Sequence, residues 1–189
     1  MEAALRLMIP KISEGLSFEI YPHQCKRDLL DKLPARLRGY AAWMPQDWRI
    51  MVIVDRDDDD CKALKRRLEK AAKEAGLKTR TQRGAGGFQV VNRVAIEELE
   101  AWFFGDWNAV CDAFPGVDRK IPNKRKYRDP DAIAGGTWEA LERILQRAGY
   151  FKGGLAKIEA ARNIAERMNP EQNRSRSFCA FRDALREMT

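Results

Sequence analysis

Residues 50–60 read IMVIVDRDDDD, a short apolar run followed by five carboxylates in six residues. The run is uninterrupted and rich in β-branched side chains, which predicts a strand buried on both faces. Open α/β sheets place their active sites at the carboxyl ends of strands, so these acids lie where a site is expected. In a chain of net charge +7, such a cluster favours a hard cation, with phosphate as a substrate group.

Strand and helix patterns alternate over the first 100 residues, and helices dominate after that. Strands are predicted at 17–21, 49–55 and 88–96, with helices at 1–14, 28–43, 58–75, 137–148, 155–168 and 177–188 and a glycine-rich turn at 83–87. We predict an α/β fold, with a mostly parallel sheet flanked by helices and a helical C-terminal extension. We expect one domain, made of an α/β core (1–114), a basic loop (115–136) and the extension (137–189).

Composition excludes several classes of protein and site. No apolar stretch approaches the roughly 20 residues that span a bilayer, and the N-terminus does not resemble a signal peptide, so we expect a cytoplasmic protein. None of the four cysteines forms a Cys-x-x-Cys pair, which argues against a zinc site. His23 is the only histidine, so a Ser-His-Asp triad is not expected. Carboxylates and basic residues must therefore carry the chemistry of any active site.

The acids after the first buried strand divide into two groups. Asp58, Asp59 and Asp60 precede a helix, whose positive end favours carboxylates by about 0.3–1 kcal/mol each. That explanation fits Asp55 and Asp57 less well, and side chains two residues apart at a strand end can bind Mg²⁺ together. A second acidic segment, Glu97–Asp106, follows the strand at 88–96, so a metal site could draw on both strands. Its aromatic residues 102–104 are expected to pack in the core.

Two basic segments are candidates for binding a phosphate backbone. The loop at 119–128 contains six Lys or Arg residues, and Tyr127 lies among them. A solvated loop accounts for this composition equally well. Near the C-terminus, solubility is the simpler explanation for the arginines. The candidate nucleic-acid-binding residues are Lys120, Lys124, Arg125, Lys126, Arg128, Arg174 and Arg176.

Three segments resemble a bacterial family, domain-of-unknown-function family 4276, which is a Toprim-like group. They are residues 54–59, residues 96–106 and Arg176-Ser177-Phe178-x-x-Phe181. Toprim domains bind Mg²⁺ for phosphodiester cleavage or transfer, through a Glu at the end of a first strand and an Asp-x-Asp at a later strand end. The resemblance implies that Asp55 and Asp57 are the Asp-x-Asp and that Glu100 is a further acidic position.

The resemblance implies a Toprim-like nuclease or phosphodiesterase that uses Mg²⁺ or Mn²⁺, with Asp55, Asp57 and Glu100 as metal-binding and catalytic residues. The resemblance also implies a role in phage defence together with a partner ATPase, because related proteins are often encoded beside one. One departure is that the chain begins with a helix pattern, where Toprim domains have the strand with the catalytic Glu. Without that strand, an exposed sheet edge would favour a homodimer. The rival expectation is a noncatalytic module that binds nucleic acid or an ATPase.

Overall fold

The computed structural model describes residues 1–82 and 87–188, so residues 83–86 of the predicted glycine-rich turn lie outside it. The described residues form eight α-helices and two β-strands. In chain order these are α1 (Glu2–Ile12), α2 (Lys26–Trp43), β1 (Ile50–Asp55), α3 (Cys61–Glu74), β2 (Val90–Ala95), α4 (Glu100–Gly105), α5 (Trp107–Ala113), α6 (Thr137–Arg147), α7 (Lys157–Arg167) and α8 (Arg176–Arg186). The predicted α/β class and helical C-terminal part are confirmed.

The chain divides into two compact units. The first, which we call the α/β unit, is Tyr21–Val94, and the second, the helical unit, combines Met1–Ile20 with Ala95–Thr189. The helical unit is therefore built from two separate parts of the sequence. The expected division into core, basic loop and extension stays a prediction.

The α/β unit is organised around β1 and β2, which pair in parallel. Helix α3 connects the two strands, and its apolar residues follow the helical spacing i, i+4, i+7. Leu64 and Leu68 of α3 join Val52 and Val54 of β1 in the core, where leucines of α2 also pack. Only alternate residues of β1 are fully buried, and the others are half-buried. The prediction of a strand buried on both faces was therefore too strong.

Local signals set the ends of α3. The side chain of Asp60 accepts a hydrogen bond from the Ala63 backbone N–H, which caps the first turn. At the other end, Gly76 has φ +77°, and the Leu77 N–H donates to the Ala72 carbonyl at 3.0 Å. This arrangement is the Schellman motif, in which glycine is favoured because its backbone adopts positive φ without strain. The acidic segment and Gly76 thus bound the helix as the sequence predicted.

The strand predicted at 17–21 is absent from the structure. Residues 16–23 have no regular secondary structure and belong to no ladder. The alternating pattern there was real, but a strand also needs a neighbour with which to exchange backbone hydrogen bonds. A prediction from local alternation cannot test for that neighbour.

The helical unit is built around aromatic side chains of α4 and α8. The Trp102 ring stacks on Phe181 with centroids 5.0 Å apart and meets Phe178 edge-on at 5.3 Å. Trp102 and its neighbours Phe103 and Phe104 are no more than 2% exposed, so the prediction that they pack in the core is confirmed. None of the described helices is long and apolar enough to cross a membrane.

Lys11 joins the first helix to the seventh. Its Nζ donates to the carbonyls of Ala165, Glu166 and Met168 at 3.0, 2.6 and 3.1 Å. These carbonyls lie at the end of α7, where a helix runs out of backbone donors, and of the three the Ala165 carbonyl also accepts from a backbone N–H, that of Met168 at 3.3 Å. Burial lowers the pKa of Lys11, and the charges of Glu166 and Asp106 oppose that shift. The lysine thus acts as a C-terminal cap supplied from a distant part of the sequence.

Gly105 ends α4 where the backbone meets the 173–175 segment. A Cβ there would lie 2.0 Å from Asn173 Oδ1 and 2.8 Å from the Ser175 backbone nitrogen. We expect Gly105→Ala to lower the free energy of unfolding by about 2 kcal/mol or more, because the core would be overpacked. Chemical denaturation followed by circular dichroism measures this.

Gly39 provides the matched control, because a Cβ there would meet no atom within 4 Å. It lies inside α2, where alanine is favoured over glycine by roughly 0.5–1 kcal/mol. Gly39→Ala should therefore leave stability unchanged or raise it. Equal effects of the two substitutions would contradict the close contact at Gly105.

Candidate functional site

A tight turn after β1 carries the acidic cluster. β1 ends at Asp55, and α3 begins at Cys61. The Asp59 backbone N–H donates to the Arg56 carbonyl at 3.1 Å, which closes the turn. Asp57 has φ +48°, in the left-handed region that aspartate adopts more readily than most residues. The backbone therefore reverses at the carboxyl end of the strand.

Lys26, the first residue of α2, places its ammonium among the oxygens of this turn. Its Nζ lies 2.7 Å from Asp57 Oδ2 and 2.8 Å from Asp59 Oδ2, and it donates to the Arg56 carbonyl at 2.9 Å. We call this group of three oxygens the cation cage. Both carboxylates are about half exposed, whereas the Lys26 side chain is 22% exposed. The carboxylates of the cage are therefore accessible to solvent, and the Lys26 ammonium occupies the space between the three oxygens.

Two opposing effects act on the charge of Lys26. Partial burial lowers its pKa, but hydrogen bonds and charge interactions with Asp57 and Asp59 outweigh burial and raise the pKa above its ordinary value. The ammonium therefore stays protonated throughout the physiological range. It acts as a permanent cation bound by the turn.

The donor set of the cage fits a hard divalent cation. Magnesium prefers carboxylate and carbonyl oxygens and usually keeps several waters, so two carboxylates and one carbonyl are a plausible set of protein ligands. In residues 1–82 and 87–188, no group of three or more His, Cys, Asp or Glu side chains is arranged to hold a metal ion. A metal in the cage would therefore take the rest of its ligands from the backbone and water.

The acids of the turn have different partners from those that the sequence suggested. The sequence paired Asp55 with Asp57, whereas the structure brings Asp57 together with Asp59 at Lys26. Asp59 was assigned to the helix start, yet Asp60 is the residue that caps α3. Asp55 is half-buried at the end of β1, and its role as a ligand stays a prediction. Lys26 was missed because it lies about 30 residues upstream and has no local signal.

Glu100 belongs to the helical unit, where it begins α4. Burial raises its pKa above the usual range, and the nearby Glu98 carboxylate adds to the rise, whereas Lys157 opposes it. A carboxyl group with a raised pKa keeps its proton to a higher pH than an exposed carboxyl group does. Its expected role as a third metal ligand beside Asp55 and Asp57 stays a prediction.

The surroundings of Glu100 are organised by the start of α6. Glu98 Oε2 accepts hydrogen bonds from Thr137 Oγ1 at 2.9 Å and from the Trp138 backbone N–H at 3.1 Å. Thr137 lies in the first turn of α6, and the Glu98 carboxylate supplies the acceptor for that turn. Lys157 lies over the Trp138 ring, 4.0 Å from its centroid. The acidic segment after β2 thus has a structural task in addition to any chemical one.

The basic loop is fixed by 3₁₀ turns at Ile121–Asn123, Arg125–Tyr127 and Pro130–Ala132. Lys124 pairs with Asp118 at 3.0 Å, and the Arg128 Nε donates to the Asn123 carbonyl at 3.3 Å. Tyr127 is buried and stacks on Phe104, so it cannot stack on a base as the sequence allowed. The lysines and arginines at 120, 124, 125, 126 and 128 are all exposed, and their role in nucleic-acid binding stays a prediction.

A cavity of about 220 Å³ in the helical unit brings Arg119 of the basic loop together with Arg174. Polar side chains of Asn108 and Gln172 line it beside them, and so does the acidic residue Asp106. Arg119 is also paired with Asp112 at 2.9 Å. Guanidinium and amide groups around one cavity suit a phosphate oxygen. Arg176 is exposed at the first position of α8.

The family model described as "Domain of unknown function (DUF4276)" matches residues 1–186. The chain belongs to this family. No curated protein and no solved structure gives a match.

Several residues that carry the DUF4276 resemblance hold the helical unit together. The Trp102 indole N–H donates to Ser177 Oγ at 2.9 Å, and Ser177 Oγ donates to Asp131 Oδ1 at 2.8 Å. Asp131 also accepts from the first backbone N–H groups of α8. Asp106 caps α5 and accepts from the Asn169 N–H at 2.7 Å. These buried polar groups are satisfied, and their arrangement explains the motifs through packing and capping.

The α/β unit of this DUF4276 protein contains a second polar cluster, which no local sequence pattern indicated. Glu69 of α3 accepts from the Asn92 side chain at 2.9 Å, pairs with Lys65 at 3.2 Å and accepts from the Thr81 hydroxyl. Burial raises the pKa of Glu69, but these hydrogen bonds and the Lys65 charge prevail and lower it to about 2. The cluster ties α3 to β2.

Glu69 therefore predicts a pH dependence of stability. Because its pKa is lower in the folded protein than in the unfolded chain, its contribution is complete above the unfolded pKa near 4.5 and disappears as pH falls towards 2. We expect Glu69→Gln to cost about 2 kcal/mol of unfolding free energy at pH 7, with allowance for partial exposure, and little at pH 2.5. Urea unfolding at the two pH values measures this.

Glu74→Gln is the control, because Glu74 lies on the same helix but is exposed and only loosely paired with Lys70, at 3.6 Å. It should change stability by less than about 0.5 kcal/mol at either pH. A Glu69→Gln effect that is the same at pH 7 and pH 2.5 would contradict the assignment.

Proposed function

We propose that this protein is a divalent-cation-dependent, Toprim-like phosphodiesterase that acts on nucleic acid in the cytoplasm. The observation that carries the proposal is the cation cage, in which two carboxylates and a backbone carbonyl converge on one positive charge. The cage follows β1 directly, at the carboxyl end of a strand in a parallel pair. That is where α/β sheets usually place ligand sites.

In this proposal Asp57, Asp59 and the Arg56 carbonyl hold Mg²⁺ or Mn²⁺, with Asp55 as a further candidate ligand. The metal would polarise a phosphate oxygen and lower the pKa of a bound water. Lys26 competes with the metal for the same oxygens and keeps the turn closed in its absence. Glu100 remains the proposed third carboxylate.

Nucleic acid is the proposed substrate because the helical unit offers a basic surface of its own. The cavity lined by Arg119 and Arg174 lies between the basic loop and the segment before α8. Arginine binds phosphate through a fixed fork of donors, so the cavity suits a backbone phosphate. A partner ATPase and a role in phage defence belong to the same proposal, with the family resemblance as their support.

One observation favours the rival function, a noncatalytic module that binds nucleic acid or an ATPase. Lys26 already offsets one of the two negative charges of the cage, so the carboxylates have a partner without a metal. In that case the oxygens and the lysine would form a structural ion-pair network only. The two functions differ in whether divalent cations bind and whether phosphodiester bonds are cut.

The first test measures cleavage of single-stranded DNA, duplex DNA and RNA in the presence of Mg²⁺ or Mn²⁺. We expect metal-dependent cleavage by the wild type and a loss on the order of 100-fold in Asp57→Asn and Asp55→Asn, because an amide is a poorer ligand for a hard cation.

Asp58→Asn is the matched control for this test. Asp58 lies in the same turn and is exposed, and it makes none of the contacts with Lys26 that Asp57 and Asp59 make. The substitution removes the same charge, so activity close to wild type is expected. Absence of cleavage by the wild type would favour the noncatalytic module. Equal losses in all three variants would contradict the assignment of Asp57 and Asp55 as metal ligands.

A second prediction concerns Lys26. Replacing it with glutamine removes the competing charge, so we expect Lys26→Gln to bind Mn²⁺ about ten-fold more tightly in calorimetric titration. Lys32→Gln is the control, because Lys32 lies on the same helix and pairs with Asp28 outside the cage. An unchanged Mn²⁺ affinity in Lys26→Gln would mean that the metal does not enter the cage.

A further inference from the structure

The α/β unit exposes an unusual group of aromatic rings. Tyr21, Trp43 and Trp48 are 59%, 60% and 52% exposed, and they are three of the five large apolar side chains that the described residues leave exposed. Tryptophan is highly buried on average, so two neighbouring exposed indoles call for an explanation. An exposed apolar patch of this kind commonly marks a binding surface.

The rings form a continuous surface with arginines. Arg36, Tyr40 and Trp43 share one face of α2, because they are separated by four and three residues. Tyr40 and Trp43 have ring centroids 5.6 Å apart, and Trp43 meets Trp48 edge-on at 5.8 Å. Arg36 lies over Tyr21, 5.8 Å from the ring centroid. We call this group, with Arg49, the aromatic–basic surface.

The surface is held in place by the turn between α2 and β1. The Trp48 N–H donates to the Pro45 carbonyl at 3.1 Å. Arg49 Nη1 donates to the carbonyls of Gln46 and Trp48 at 2.6 and 2.9 Å. The backbone that carries Trp48 is therefore fixed by the arginine next to it. Fixed rings lose little entropy when a ligand binds.

We propose that the aromatic–basic surface binds single-stranded nucleic acid, with bases stacked on Trp43 and Trp48. Residues 33–50 contain three arginines and one aspartate, so the charge of the surface complements a phosphate backbone. Exposed rings interleaved with cationic side chains bind unpaired bases with little sequence preference. A duplex would present only its edges and backbone, because its bases are already stacked on one another.

Gly39 leaves the surface of α2 open beside Tyr40. Gly39 lies beside Tyr40 on α2, and no atom lies within 4 Å of the position that a Cβ would take there. A strand can therefore approach the helix closely between Arg36 and Trp43. Tryptophan, tyrosine and arginine are also enriched at protein interfaces, so a second copy of the chain is the alternative occupant that the test must separate from nucleic acid.

The surface and the cation cage lie near opposite ends of β1. Trp48 precedes the strand by two residues, and Asp55 ends it, which places them about 20 Å apart. Single-stranded sites typically cover about 4–16 nucleotides, so one strand can reach both. This inference deepens the proposed function by naming its substrate class. Binding does not require cleavage, so the two proposals can fail separately.

The test is a binding titration of the full chain in EDTA, where no divalent-cation-dependent cleavage occurs. An oligo(dT) of about 15 nucleotides should quench tryptophan fluorescence saturably, and a duplex of the same length should bind at least ten-fold more weakly. Trp43→Leu and Trp48→Leu should each weaken binding about ten-fold or more in anisotropy measurements with labelled oligo(dT). Trp43→Phe, which keeps a ring, should stay within about three-fold of wild type.

Two substitutions elsewhere serve as controls. Ile158→Ser removes an exposed apolar side chain of the helical unit, and Lys73→Ala removes an exposed positive charge from α3. Both should bind oligo(dT) nearly as wild type does. Wild-type affinity in a folded Trp43→Leu/Trp48→Leu variant would overturn the proposal, as would preference for duplex. Sedimentation that reveals a dimer lost in that variant, without oligo(dT) binding, would instead assign the surface to a second copy of the chain.

Discussion

The candidate site depends on one constraint: the negative charges of the carboxylates in the turn after β1 must be offset by a cation. The chain reverses there through a residue with positive φ, with carboxylates on both sides. A cation among these oxygens offsets the repulsion between the carboxylates, and Lys26 provides one from the start of α2. The same contact fixes α2 beside the strand end, so the aromatic–basic surface farther along α2 is carried by a helix anchored at the cage.

Local patterns predicted the elements that depend on local physics. The apolar run of β1, the i, i+4, i+7 spacing of α3 and its glycine stop all indicated what the structure contains. The pattern at 17–21 failed because a strand depends on a partner that alternation cannot reveal. Lys26 and Glu98 were missed for a related reason, since each acts on a segment about 30 to 40 residues away.

The motifs that linked this chain to its family divide into two kinds. In the helical unit, Trp102, Gly105 and Ser177 owe their identities to packing and to hydrogen bonds between α4 and the start of α8. Such residues report a shared fold and carry no chemistry of their own. The turn after β1 is different, because its carboxylates are exposed and converge on a charge that contributes nothing to the core. Arguments about activity therefore rest on that turn more than on the longer motifs.

The helical unit is interrupted by the α/β unit, and this order has a consequence for biosynthesis. Helix α1 emerges from the ribosome before the α/β unit, yet its Lys11 caps a helix that ends more than 150 residues later. Translation adds about 5–20 residues per second, so the apolar face of α1 is without α7 for on the order of ten seconds or longer. The α/β unit can complete its own core during that interval. The nascent chain thus carries α1 without its partner helix until α7 has been made.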